Sequence, residues 1–116
     1  MKELGEKVNE LNQSIVEYKF KQALDKFYSE EVVSVENEGD PTIGLSAYRE
    51  AATKFFDNVT NYSATLITCF VSNNMSVSEW HYTFDHKEWG HWDKVQISIQ
   101  RWGNGKIIHE RHHYDH

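Results

Sequence analysis

The chain has 116 residues, of which 39% are hydrophobic and 14% aromatic, so it can build one core and has no room for a second domain. A formal charge of −6 repels nucleic-acid phosphates and anionic membrane surfaces, and no stretch nears the roughly 18 apolar residues of a membrane span. Neither nucleic acid nor a membrane is expected as a partner; the lone Cys69 and an N-terminus of alternating charge point to a cytoplasmic protein, one domain over residues 1–116.

From Leu4 the apolar residues Leu4, Val8, Leu11, Ile15 and Tyr18 step by three and four, which predicts an amphipathic helix. A second helix is expected from Phe20 to Tyr28, followed by a short β-branched strand, Val32 to Val35. The turn formers of residues 39–44 then give way to Leu45, Tyr48, Ala52, Phe55, Phe56 and Val59, a third helix to about Asn58 with Ser46 as its N-cap. Beyond Asn61 the period switches to two. Strands are expected over Ser63 to Val71, Ser76 to His86, Trp92 to Trp102 and Lys106 to Tyr114, an antiparallel meander after a run of helices, and therefore an α+β domain.

Asn104-Gly105 between the last two runs predicts a two-residue type I′ hairpin, which fixes register. Continued without interruption, that register pairs Arg101 with Ile108, Ile99 with Glu110, Ile97 with His112 and Val95 with Tyr114 on one mostly apolar face. The other face pairs Trp102 with Ile107, Gln100 with His109, Ser98 with Arg111 and Gln96 with His113, and reads as half-wet or as a partner surface.

The order α-α-β-α-β-β-β-β resembles the nuclear transport factor 2-like superfamily. Three strings carry the resemblance toward its SnoaL-like branch: FYSEEVVSVENEG from Phe27 to Gly39, the helix entry Gly44 to Tyr48, and QRWGNGKIIHERHHYD from Gln100 to Asp115. The resemblance implies three N-terminal helices packed on a strongly curved, mainly antiparallel sheet, a cone with an internal apolar pocket and a homodimer through the opposite, convex sheet face. It also implies two places to look for a catalytic carboxylate, and the chain departs at both. Where ketosteroid isomerase has an aspartate base after Val-Glu in its first strand, Val35-Glu36 is followed by Asn37. The last-strand aspartate of the polyketide cyclases aligns with His112.

With the pocket on the more apolar hairpin face, Glu110, His112 and Tyr114 line it beside Val95, Ile97 and Ile99, and the preceding strand adds Trp80, Tyr82 and Phe84. Glu110 and His112 are the candidate acid–base pair, with Glu36, Asn37 and Asp40 as polar contacts at the mouth. The expected ligand is a small apolar or aromatic molecule, and the chemistry isomerase- or cyclase-like. The competing expectation is a non-enzymatic dimeric module, its vestigial pocket filled by Trp80, Tyr82, Phe84 and Tyr114, Glu110 paired with Arg101 or Arg49, and His112 a satisfied core histidine.

All seven histidines fall between His81 and His116, yet strand alternation splits His109 and His113 from His112, so no metal set is expected; Trp102, Arg111 and His113 suit a dimer seam instead. Trp89-Gly90-His91-Trp92 either lids the pocket or buries at a dimer edge. No cofactor is expected, since no glycine-rich phosphate loop is present, and neither a Ser-His-Asp order nor a partnered Cys nucleophile is visible.

Overall fold

The computed structural model describes residues 3–115. Within them lie helices α1 (Leu4–Val16), α2 (Phe20–Phe27) and α3 (Leu45–Asp57), and strands β1 (Tyr28–Glu36), β2 (Thr42–Ile43), β3 (Val59–Ser72), β4 (Met75–His86), β5 (Gly90–Gly103) and β6 (Lys106–Tyr114). The strands form one sheet in the order β2-β1-β6-β5-β4-β3, in which only the β1–β6 pair is parallel. Helices first and meander second give the expected α+β class. Bulges in β3, β1 and β6 bend the sheet, and the helices cover its concave side.

The predicted stripe of α1 buries Val8 and Leu11, which meet Ala23, Leu24 and Phe27 of α2 and Val32, Trp102 and Ile107 of the sheet. That cluster closes the narrow end of the cone. At the end of α1, Tyr18 adopts φ 62°, an unusual position for a non-glycine residue, and its ring packs against Phe20, Phe56 and Tyr62. Those ring contacts offset the backbone cost.

Two boundaries differ from expectation in ways that matter. The first strand begins at Tyr28, so its phenol belongs to the sheet rather than to the end of α2. Helix α3 starts at Leu45, capped by Gly44 at φ 90° with no side-chain cap, which removes Ser46 from the N-cap position. A glycine suits that left-handed φ; serine there would be strained. The turn-rich segment also contains β2, whose Ile43 pairs with Val33.

The largest correction is in the closing hairpin. Gly103–Lys106 and Trp102–Ile107 pair as the Asn104-Gly105 turn dictates, but Arg101 then pairs with His109, leaving Ile108 as an extra residue in β6. A bulge of one residue exchanges the faces of everything beyond it. Gly103 makes room for it, because a Cβ there would stand 3.3 Å from the Ile108 side chain. Glu110, His112 and Tyr114 therefore stand opposite Gln100, Ser98 and Gln96, while Ile99 and Ile97 stand opposite Arg111 and His113. Trp102, predicted for a partner surface, is instead 3% exposed in the core beside Phe27.

Candidate functional site

Between the concave sheet face and the helices lies a cavity of about 850 Å³. Its walls are largely aromatic: Phe55 and Phe56 of α3, Tyr62 of β3, Tyr82 and Phe84 of β4, and Trp92 of β5. Alternation on β4 makes this wall, since Tyr82 and Phe84 share the inward parity of Trp80. Toward the turn after β4, Trp89 stacks on His86 at 4.0 Å between ring centroids and also contacts Phe55 and Trp92. The tryptophan turn thus contributes to the cavity wall.

Polar chemistry concentrates where β1, β6 and β5 run side by side. The carboxylate of Glu110 is fully buried and receives four donors. Tyr28 Oη donates to Oε2 at 2.5 Å and Gln100 Nε2 to the same oxygen at 2.7 Å; Tyr48 Oη donates to Oε1, and His112 Nε2 meets that oxygen at 3.1 Å. Neither arginine of the earlier expectation is its partner, because Arg49 pairs with Asp25 and Arg101 lies against Met75.

The direction of this network follows from its far end. An indole N–H can only donate, so Trp102 Nε1 gives its proton to Ser76 Oγ at 3.0 Å, and Ser76 passes its own to Gln100 Oε1 at 2.7 Å. That assigns the Gln100 amide, whose nitrogen must then face Glu110. The carboxylate is left acceptor-only, with every lone-pair direction used. Burial alone would raise the Glu110 pKa, but the charge and hydrogen bond of His112, with the two phenols, bring it down to about 2. The same burial opposes protonation of His112, and the charge of Glu110, its hydrogen bond and more distant Glu36 outweigh it, so the His112 pKa is raised. Tyr28 and Tyr48 are pushed well above the usual phenol range by burial and by Glu110, and stay neutral donors.

His112 keeps its other ring nitrogen for β5. Nδ1 lies 2.9 Å from Ser98 Oγ and 3.2 Å from Gln96 Nε2, and the imidazole retains 16% exposure. At the cavity mouth Tyr114 Oη donates to Glu36 Oε2 at 3.2 Å, and burial together with Glu36 raises the Tyr114 pKa to about 12.

Of the residues named from sequence, Glu110, His112, Tyr82, Phe84 and Tyr114 line the cavity. Val95 and Ile97 do not: they lie on the outer face, 48% and 39% exposed, with Ile99 beside them, because the Ile108 bulge turns Glu110, His112 and Tyr114 of β6 onto the opposite face of the sheet. Trp80 is fully buried behind the wall, stacked on Tyr82. Asn37 is a fastener, at φ 52°: its N–H donates to His112 O, its Oδ1 accepts from Tyr114 N, and its carbonyl accepts from Arg111. Its neighbours Glu36 and Asp40 reach the cavity. Tyr28, Tyr48, Gln96, Ser98 and Gln100 were missed; the signal available was the polar alternation Gln96, Ser98, Gln100 in a strand whose other face is aliphatic. His81 pairs with Asp93 and His91 with Asp85, and among the described residues no group of three or more His, Cys, Asp or Glu converges as a metal site.

A family profile described as a SnoaL-like domain matches residues 10–110. Among solved structures, a protein described as a SnoaL-like polyketide cyclase from Mesorhizobium loti superposes with a TM-score of 0.83 at 18% identity, covering 96% of this chain and 98% of that one. An NTF2-like protein of unknown function from Burkholderia pseudomallei gives 0.82 at 11% identity, with 99% and 92% covered. A Catenulispora acidiphila protein with a ketosteroid isomerase-like fold, solved in complex with trimethylamine, gives 0.72 at 14% identity, with 95% and 85% covered. At such identities the likeness establishes the cone fold and nothing finer. No curated protein matches the sequence.

Proposed function

Because the chain belongs to the SnoaL-like domain family of the nuclear transport factor 2-like superfamily, we propose that it binds a small, neutral, largely apolar or aromatic molecule in the cone, against the Glu110–His112 pair. The observation that carries this reading is the coincidence of an aromatic cavity of about 850 Å³ with one buried, charge-paired dyad at its wall. Apolar walls with a few convergent polar groups are the usual composition of a small-molecule site. A cavity of that size argues against a cone plugged by Trp80, Tyr82, Phe84 and Tyr114. Within the dyad the roles divide. Glu110, with four donors and a pKa of about 2, stays ionised and orients the imidazole, whereas His112, its pKa raised by Glu110, is the member of the pair that can exchange a proton. Isomerase- or cyclase-like proton transfer would then run through His112, at the position where the cyclases resemble this strand but carry aspartate.

The test is titration with N-phenyl-1-naphthylamine, a neutral fluorophore that brightens in apolar surroundings. Saturable binding is expected, weakened at least tenfold by Ala52→Trp, which places an indole in the cavity from α3. An unsaturable signal, or identical binding by a folded Ala52→Trp variant, would sink the proposal.

The protein is further proposed to act in the cytoplasm as one domain over residues 1–116 and as a homodimer through the outer sheet face. Supporting the dimer, Phe70, Val95 and Ile97 are exposed there at 67%, 48% and 39%, next to Val77 and Ile99. Glu79 and Arg111 on the same face supply opposite charges that a two-fold axis can pair. Sedimentation should show a dimer that Ile97→Glu converts to monomer; a wild-type monomer at micromolar concentration would exclude it.

A further inference from the structure

His112 is hydrogen-bonded at both ring nitrogens, and the two partners differ in kind. One is the Glu110 carboxylate at 3.1 Å; the other is the Ser98 hydroxyl at 2.9 Å. Hydroxyl, imidazole and carboxylate stand in line because β5 and β6 place Ser98 opposite His112 and Gln100 opposite Glu110, all on the concave face. We propose that Ser98, His112 and Glu110 form a nucleophilic relay and that the cavity hydrolyses small neutral esters of aromatic alcohols. This inference rests on the cone being a ligand site, and adds to it a reaction and a substrate class.

The geometry meets the requirements of such a relay one at a time. A serine hydroxyl is a weak nucleophile until a base within hydrogen-bond reach takes its proton, and the base must be held by a third group. Ser98 to His112 and His112 to Glu110 supply both contacts. Glu110 is a positioning residue here: Tyr28, Tyr48 and Gln100 fix its carboxylate, so it cannot swing away from the imidazole. Gln96, two residues from Ser98 on the same face, carries an amide nitrogen 3.4 Å from Ser98 Oγ. It is a donor placed beside the nucleophile, where the oxygen of a tetrahedral intermediate would gather charge. These seven side chains belong to one hydrogen-bonded network, and Ser98, Gln96, His112 and Glu110 all line the cavity.

The substrate class follows from the walls and the rim. Aromatic faces from Phe84, Trp92 and Tyr82 suit an aryl group, while Glu36, Asp40 and Glu88 along the lining outnumber Lys54 and disfavour a carboxylate. In the reaction, Ser98 Oγ attacks the ester carbonyl carbon as its proton passes to His112 Nδ1. The bond from the acyl carbon to the aryl oxygen breaks, and His112 returns the proton to the departing oxygen. Water then repeats the sequence on the acyl-serine, releasing the acid and restoring Ser98. Nothing is oxidised, and the sum is ester plus water giving acid plus alcohol.

His112 accepts a proton only when Nδ1 is unprotonated. The charges facing it are Glu110 on its own strand and Glu36 on β1, with the neutral phenols of Tyr28 on β1 and Tyr48 on α3 behind Glu110. Both carboxylates favour the charged ring, so turnover is expected to rise as the pH climbs past the ordinary histidine range.

The experiment treats the full chain with phenylmethanesulfonyl fluoride, locates the modification by peptide mass mapping, and follows hydrolysis of 1-naphthyl acetate. Sulfonylation of Ser98 is expected, slowed by N-phenyl-1-naphthylamine, with hydrolysis falling at least about a hundredfold in Ser98→Ala. Labelling of wild-type Ser98 needs no variant and decides the matter if Ser98→Ala is unstable. An unmodified Ser98 in protein that binds the fluorophore overturns the relay while leaving the ligand site standing. Absence of fluorophore binding together with an unmodified Ser98 removes both.

Discussion

At the scale of single residues, the site is governed by how many donors one carboxylate receives. Replacing Glu110 by Gln keeps the shape but turns an acceptor into a donor facing donors from Tyr28, Tyr48, Gln100 and His112. Removing one partner of a buried charge pair costs about 3–5 kcal/mol, so Glu110→Gln is expected to lower stability by that amount in urea unfolding. The pH dependence has two arms of opposite sign. The Glu110 carboxyl, at about 2 in the fold against 4.5 as a free group, contributes its full stabilisation above the latter value and loses it as the pH falls from there through about 2. His112 is raised above 6.5, so its contribution is complete below that value and is lost as the pH rises through the folded pKa. These are one interaction seen from each partner and are not summed; its size is on the order of 3 kcal/mol. The melting temperature should therefore plateau between about pH 4.5 and 6.5 and fall on both sides, and His112→Gln should flatten the alkaline arm. A profile unchanged by His112→Gln would mean that the pair carries no net stability.

At the scale of elements, one extra residue decides which chemistry faces the cavity. Periodicity made β6 legible, and Asn104-Gly105 made the first two pairings legible, since both depend on local backbone preferences. The Ile108 bulge was not legible, because it answers to contacts made far away in sequence. Ile107 is needed in the core beside Trp102, and Glu110 is needed inward to meet Tyr28 and Tyr48. An uninterrupted strand cannot send residues 107 and 110 to the same face, and a bulge can. Deleting Ile108 should therefore regularise the strand while keeping Ile107 opposite Trp102 and Glu110 opposite Gln100, so cooperative melting is expected to survive; its loss would show that the bend itself needs the extra residue. At the tip, Gly105 holds φ 78°, and a Cβ there would stand 2.4 Å from the mobile end of Lys7. The ammonium can move but the backbone conformation cannot be relieved, so Gly105→Ala should cost about 1 kcal/mol and leave fluorophore binding unchanged.

At the scale of the whole molecule, the cone is a compromise between a closed core at one end and an unfilled cavity at the other. The core at the narrow end was readable from the α1 and α2 stripes, whose apolar spacing is met directly by Val32, Trp102 and Ile107. The cavity was readable only in outline, through family resemblance, because an interior that is not filled leaves no periodic signature in the chain. Its polar wall was misread as a wet surface because the uninterrupted register set Gln100, Ser98 and Gln96 against His109, Arg111 and His113. An unfilled apolar interior forgoes dispersion contacts, so anything that occupies it adds stability that the empty fold lacks. A ligand at about a hundred times its Kd stabilises by about 2.7 kcal/mol, which for a domain of this size raises the melting temperature by roughly 10 °C or more. Scanning calorimetry with saturating N-phenyl-1-naphthylamine should show such a shift, and Ala52→Trp, with the space already taken, should show little. The comparison separates occupancy of the cone from adsorption on the exposed Phe70, Val95 and Ile97 patch, because adsorption there would shift both proteins alike.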